Sequence, residues 1–169
     1  LSFVEPGESA ADVGTDHGHV PVELVRRTIV KKAVAMDVRK GPLERAEEHV
    51  EEVGLSGKIE LRLSDGLAKL KAGEADTVVI AGMGGKLTCR ILEQGRHVWE
   101  NWSEGKERLI LSPQSEQDEV RHFLEEQGFS ILREAMLTDE GKYYIVIEAA
   151  RGTMRPGREK EYRFGADLI

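Results

Sequence analysis

Residues 9–19 read Ser9-Ala10-Ala11-Asp12-Val13-Gly14-Thr15-Asp16-His17-Gly18-His19. A short run of small and apolar residues ends in a glycine, passes through a polar turn and enters the amphipathic stretch Val20–Arg27. The pattern predicts a strand over Ser9–Gly14, a tight turn, and a helix over Val20–Arg27 with Pro21 tolerated in its first turn. Gly14 and Gly18 allow the backbone to turn sharply and to approach a ligand closely.

The same unit repeats outward along the chain. Lys32–Val38 (KAVAMDV) predicts the next strand, and Pro42–Val53 a helix with Leu43, Ala46, Val50 and Val53 on one face. Lys58–Ser64 alternates as a half-buried strand does. Asp76–Ala81 (DTVVIA) is a continuous apolar run, expected of a strand covered on both faces. A helix is predicted over Gly84–Val98, a strand over Arg108–Leu111 and a helix over Glu116–Gln127. Two closing strands, Phe129–Leu137 and Tyr143–Ala149, are joined by Thr138-Asp139-Glu140-Gly141-Lys142, which is hairpin-loop chemistry. Alternating strands and helices require crossover connections. The expected fold is α/β: a mostly parallel seven-stranded sheet of the Rossmann-like methyltransferase layout, with a C-terminal antiparallel hairpin and helices on both faces.

Composition sets the limits. The chain has 169 residues, 40% hydrophobic and 33% charged, which is the balance of a globular domain with a real core. No apolar run approaches the roughly 20 residues of a membrane span. A single cysteine, Cys89, excludes an internal disulfide framework and a cysteine-rich zinc site, and it suits a reducing cytoplasm. The net charge of −7 argues against a generic nucleic-acid binder. From Arg151 onward five basic residues face three acidic ones, a local +2. The chain opens at Leu1 rather than Met and is expected to begin part-way into a longer product. The expected organisation is one catalytic domain over 1–151, followed over 152–169 by a linker or the start of a helical region.

In an open parallel sheet, ligands bind beyond the carboxyl ends of the strands. Five successive strand ends carry glycine or small polar residues that no core pattern demands: Asp12–His19, Asp37-Val38, Ser64-Asp65-Gly66, Ala81-Gly82-Met83-Gly84-Gly85 and Ser112-Pro113-Gln114. Asp37 can accept both hydroxyls of a ribose, in a methyl-donor or a nicotinamide site alike. Asp65-Gly66 can accept from an adenine amino group. The glycines at 82, 84 and 85 serve no packing purpose visible in the pattern, and close approach by a ligand or a flat base would explain them; Met83 can lie against such a base or fill a core. His17-x-His19 with Asp16 lacks a third nitrogen or sulfur ligand, so no metal is expected. Ser112 has no nucleophile elbow. Cys89 is expected to be buried and inert.

The first loop is similar to the S-adenosylmethionine loop D/E-x-G-x-G-x-G, with Asp16 in place of the middle glycine. A carboxylate there repels a pyrophosphate and attracts a sulfonium or an ammonium. Asp12-Val-Gly-Thr-Asp-His17 followed by Val20-Pro21, together with Ala81-Gly-Met-Gly-Gly85, Leu109-Ile-Leu-Ser-Pro-Gln114 and Glu140-Gly-Lys-Tyr-Tyr144, resembles the bacterial tRNA (adenine(22)-N1)-methyltransferases, the TrmK family. The resemblance covers most of residues 1–150. It implies a class I fold, S-adenosyl-L-methionine as cofactor and tRNA as partner. It also implies a C-terminal helical domain that this chain does not reach, and an N-terminal helix of which most is missing. Gly18-His19 replaces a more frequent Ala-Tyr type pair.

On that resemblance, Asp12, Gly14, Thr15, Asp16, Gly18, Asp37, Val38, Asp65, Gly66, Ala81, Gly82 and Met83 are the expected cofactor contacts. His19, Gly84, Gly85, Pro113 and Gln114 are the expected substrate side. The N1 of adenine keeps a lone pair at neutral pH, and its methylation places positive charge on the ring. Asp16 is the expected catalytic carboxylate that stabilises this charge, with His17 orienting it or taking a proton from N6 afterwards. The target base must leave its stack to reach the site. Arg26, Arg27, Lys86, Arg90 and Arg151 are candidate RNA contacts. A cytoplasmic monomer without metal or membrane association is expected. Three alternatives stay open from the residues: a methyltransferase for another RNA or a small molecule, a nicotinamide-dependent oxidoreductase, and a binding module on the same fold.

Overall fold

The computed structural model describes residues 1–153 and 159–165, the latter group by backbone alone at 159, 160 and 164. The elements run β1 (Gly7–Val13), α1 (His19–Arg26), β2 (Val30–Asp37), α2 (Lys40–Glu52), β3 (Ile59–Leu63), β4 (Thr77–Ala81), α3 (Gly85–Gln94), α4 (Arg96–Trp99), β5 (Arg108–Ser112), α5 (Gln117–Glu126), β6 (Phe129–Asp139), β7 (Lys142–Arg151) and α6 (Glu159–Phe164). The seven strands follow the hydrogen-bonded order β3-β2-β1-β4-β5-β7-β6. The backbone divides into two compact units, Leu1–Val79 with Gln94–Asn101, and Ile80–Glu93 with Trp102–Ile169.

In the first unit β1, β2 and β3 pair in parallel, with Asp12 opposite Ala35 and Asp37 opposite Leu63. Ser9–Val13 and Ala33–Asp37 are buried without interruption, so these strands read as solid runs rather than alternating ones. β3 stands at the end of the strand order and is only half-buried. α1 buries Pro21, Val22, Leu24 and Val25, and α2 buries Pro42, Ala46 and Val50. Arg62 of β3 grips Glu74 through two hydrogen bonds of 2.9 and 2.7 Å and ties the strand to the segment that precedes β4.

In the second unit β7 lies between β5 and β6 and is antiparallel to both. The hairpin is tighter than its sequence suggests. β6 extends to Asp139 and β7 resumes at Lys142, so only Glu140 and Gly141 remain as the turn. Both have positive φ, 48° and 76°, which is the two-residue geometry that suits twisted strands. The helix expected over 84–98 is broken at Gly95, which caps the short α4. Of residues 152–169, expected as a linker or the start of a helical region, 154–158 and 166–169 lie outside the described residues; Glu159–Phe164 is helix. That helix rests on α5: Tyr162 stacks on His122 with ring centroids 3.5 Å apart, and its hydroxyl donates to Glu125. Arg121 of α5 donates both to Glu134 of β6, at 2.9 Å, and to the Tyr162 carbonyl.

Candidate active site

In the first unit the end of β1 is fastened to β2. The N–H groups of Gly14 and Thr15 both donate to the Met36 carbonyl, at 2.8 and 2.9 Å. The chain then takes two left-handed residues, His17 (φ 56°) and Gly18 (φ 67°), and Gly18 caps α1. Glycine is needed at 18 for two reasons: the backbone is left-handed, and a Cβ would lie 3.3 Å from the Cβ of Ala46.

Two carboxylates close this end of the sheet from within. Asp12 and Asp37 are buried, at 6% and 5% exposure. Burial pushes the Asp12 carboxyl up to about 6; the Thr15 hydroxyl opposes that shift and the charge of Asp37 adds to it. Thr15 Oγ1 is itself buried and makes no hydrogen bond of full geometry. Asp37 Oδ1 accepts the Arg39 N–H at 2.8 Å. Asp16, in contrast, is 70% exposed in its side chain, 3.6 Å from His17 Nε2 and 3.8 Å from Arg45 Nη2. The His17 and His19 rings stack at 5.7 Å, and His19 meets His49 edge-on at 5.0 Å.

At the end of β3 the Ser64 hydroxyl holds the turn, donating to the Gly66 carbonyl and accepting the Lys69 N–H. Asp65 is left exposed, and Gly66 has φ 54°. Val38 is 61% exposed and Leu63 44%, two apolar side chains presented at neighbouring strand ends. Leu63 is a site candidate that the sequence reading missed, because it continues the regular alternation of β3. Arg45 and His49 were missed as well: they sit on the polar side of α2, where periodicity sees only a solvated face.

In the second unit the glycine-rich loop splits into two parts. Gly82 has φ 76°, and nothing lies within 4 Å of where its Cβ would be. Met83 is half-buried, and its carbonyl accepts the Gln114 N–H at 2.9 Å. A Cβ at Gly84 would meet Ser115 Oγ at 2.9 Å, and one at Gly85 would meet the Glu116 and Ser115 carbonyls at 2.4 and 2.6 Å. Gly85 is buried, its N–H shared between the Ser115 carbonyl and the Glu116 carboxylate. The expectation that these glycines serve no packing purpose is therefore corrected at 85. Gly85 is required by packing against the backbone of residues 115–116, Gly84 faces only the side-chain ends of Ser115 and Glu116, and the open space is at 82. Pro113 is buried, and its carbonyl accepts from Gln117; Gln114 is exposed.

Two groups of candidate RNA contacts are already engaged. Arg26 and Arg27 both pair with Glu23, at 3.3 and 2.9 Å, and Arg151 donates to the Gln127 carbonyl and covers the Phe129 ring. Lys86 lies 3.7 Å from Glu119, and Arg90 is exposed. Cys89 is half-buried, and its thiol is pushed up to about 11 by desolvation and by the nearby glutamates. Among the described residues no group of three or more His, Cys, Asp or Glu is arranged to hold a metal.

The set of polar side chains at the ends of β1, β2 and β3 is acidic: Asp12, Asp16, Asp37 and Asp65. Such a set accepts from hydroxyl, amino and ammonium groups and repels phosphate. A methyltransferase-domain family profile matches residues 1–147. The chain is 37% identical over 150 residues to a tRNA (adenine(22)-N(1))-methyltransferase of Bacillus subtilis, covering 89% of this chain and 61% of that protein. It is also similar to a Streptococcus pneumoniae protein described as a candidate tRNA (m1A22) methyltransferase and solved with S-adenosyl-L-methionine. That structure is 40% identical with a TM-score of 0.92, over 99% of this chain and 76% of the other.

The chain belongs to the TrmK family of methyltransferases.

Another likeness is to M. capricolum TrmK, solved with S-adenosyl-homocysteine: 28% identity, a TM-score of 0.83, and coverage of 98% of this chain and 72% of that one. The chain spans about 61% of the length of the B. subtilis relative. No helix among the described residues is long and apolar enough to cross a membrane.

Proposed function

We propose that this chain transfers a methyl group from S-adenosyl-L-methionine to N1 of an adenine in tRNA, adenine 22 being the expected target. The observation that carries the reading is the buried carboxylate pair Asp12–Asp37 beside the buried Thr15 hydroxyl. These residues suit a ligand that brings hydroxyl and ammonium donors, and they disfavour a pyrophosphate. S-Adenosyl-L-methionine, when bound, supplies an electrophilic methyl group on a positively charged sulfur. Asp37 would accept from the ribose hydroxyls of that cofactor, and Asp65 from its adenine amino group. Val38 and Leu63 offer apolar surface to a flat ring. Asp12 and Thr15 favour the cationic part.

On the substrate side, Asp16 supplies negative charge where the target ring becomes positive, and His17 Nε2 orients that carboxylate from 3.6 Å. Arg45, 3.8 Å from the same carboxylate oxygen, moderates its charge before the substrate arrives. Alignment of the N1 lone pair with the bond being broken supplies most of the acceleration. The names borne by the relatives support the tRNA substrate, and the lone, poorly acidic Cys89 suits a reducing cytoplasm.

The test is methyl transfer to an unmodified tRNA transcript, with the product nucleosides read by mass spectrometry. 1-Methyladenosine formed at one position is the expected result. Methylation of no tRNA in the presence of a bound methyl donor would refute the substrate assignment.

A further inference from the structure

Two side chains of α2 reach the turn that follows β1. Arg45 and His49 are four residues apart, hence on one face of the helix. Arg45 lies against the Asp16 carboxylate, and His49 Nδ1 lies 2.7 Å from the His17 carbonyl oxygen. A carbonyl can only accept, so Nδ1 carries the hydrogen. A neutral His49 is therefore the Nδ1–H tautomer, with an acceptor lone pair on Nε2. Between these two residues Ala46 is wholly buried and fits under Gly18, where a Cβ would be only 3.3 Å away.

The carbonyl that His49 holds belongs to a strained residue. His17 is a non-glycine at φ 56°, a conformation that is costly for an L side chain and persists only where the surroundings impose it. The direction of the His17 and Asp16 side chains follows from that backbone. A His49 donor lost to a mutation would let the peptide rotate towards a relaxed conformation, and both side chains would turn with it. Protonation of His49 leaves Nδ1–H in place, so the contact itself does not depend on the charge of the ring.

We propose that His49 is a positioning residue for methyl transfer. Its Nδ1–H fixes the left-handed His17 backbone, and thereby the aim of Asp16 and His17 at the target base. This inference rests on the function proposed above. It goes beyond it in assigning a role to a residue of α2 outside every strand-end loop.

The test compares His49→Leu with His49→Asn, whose amide nitrogen can occupy the place of Nδ1. Turnover of tRNA at saturating methyl donor, the dissociation constant for S-adenosylhomocysteine and the thermal midpoint are measured for each. His49→Leu is expected to lower kcat about tenfold while KM, product affinity and thermal midpoint stay near those of the unaltered chain, because a misaimed group costs rate before it costs binding. His49→Asn is expected to restore most of the rate. Nitrogen-15 NMR of the unaltered chain should show the neutral His49 ring protonated at Nδ1. An unchanged kcat in His49→Leu, a loss of product binding and thermal midpoint in parallel with the rate, or no rescue by asparagine would each overturn the assignment. If the unaltered chain transfers no methyl group, the parent reading fails, and this one with it.

Discussion

A methyl group added to Gly85 would stand 2.4 Å from the carbonyl oxygen of Glu116. Backbone, not a flexible side chain, occupies that space, and Gly85 also places its N–H on the Glu116 carboxylate at 3.0 Å. The start of α3 and the residues before α5 are therefore in direct contact, and only glycine permits it. Gly85→Ala is expected to destabilise by about 3 kcal/mol or more through overpacking against backbone. Gly82→Ala meets no neighbour and should cost only about 1 kcal/mol, the penalty of a side chain at positive φ. Thermal unfolding of the two variants separates them. If Gly82→Ala keeps its fold and loses turnover, the open space at 82 belongs to a ligand.

Asp12 makes stability depend on pH. Its carboxyl is raised from 3.8 to about 6, so between these values the folded protein holds a proton that the unfolded chain has released. The stabilising contribution of the neutral form is complete below pH 3.8 and is lost as pH rises through about 6. At neutral pH the ionised, buried group costs the fold on the order of 3 kcal/mol. Asp12→Asn is therefore expected to be more stable than the unaltered chain at pH 7.5 and to lose that advantage near pH 4. Its affinity for S-adenosylmethionine should fall, since the strained charge is what the cationic ligand relieves. Equal stability at both pH values would contradict the account.

Glu74 runs the other way. Its hydrogen bonds with Arg62 hold the carboxyl down to about 2. The stability it adds is present above pH 4.5 and disappears as pH falls through about 2. Glu74→Gln should cost about 2–3 kcal/mol at pH 7, and the difference from the unaltered chain should shrink in acid. Denaturant unfolding at pH 7 and pH 3 checks both the sign and the trend.

Asp16 is exposed, so its replacement should not disturb the fold. Asp16→Asn is expected to lower turnover about a hundredfold if the carboxylate stabilises charge in the transition state, with tRNA and methyl-donor affinities nearly unchanged. Unaltered turnover would remove Asp16 from the mechanism.

The fold could be read because buried parallel strands announce themselves: Asp76–Ala81 and Lys32–Val38 are apolar runs with little alternation, each followed by a helical period. Asp12, Asp37 and Gly18 could be read because a carboxylate or a glycine at a strand end breaks the core pattern. The packing role of Gly85 could not, because its partner, the Glu116 carbonyl, is 31 positions away and leaves no mark in local sequence. Arg45 and His49 were hidden for a related reason. A polar residue on a solvated helix face looks the same whether or not a loop folds onto it. The break at Gly95 was passed over because Val98 continues the apolar content of the predicted helix while the backbone turns away. Beyond Arg151 the sequence suggested a linker or the start of a helical region without saying what would hold it, and the anchor of α6 lies in Arg121, a buried arginine of α5.

The central claim is that the acidic ends of β1, β2 and β3 form a site for a cationic adenosyl ligand. Calorimetric titration of the chain with S-adenosylmethionine, S-adenosylhomocysteine and NADH tests it most directly. The account predicts micromolar binding of both adenosyl ligands, weakened by Asp37→Ala, and no heat with NADH. Binding of NADH by the folded protein, with no response to S-adenosylmethionine, would contradict it.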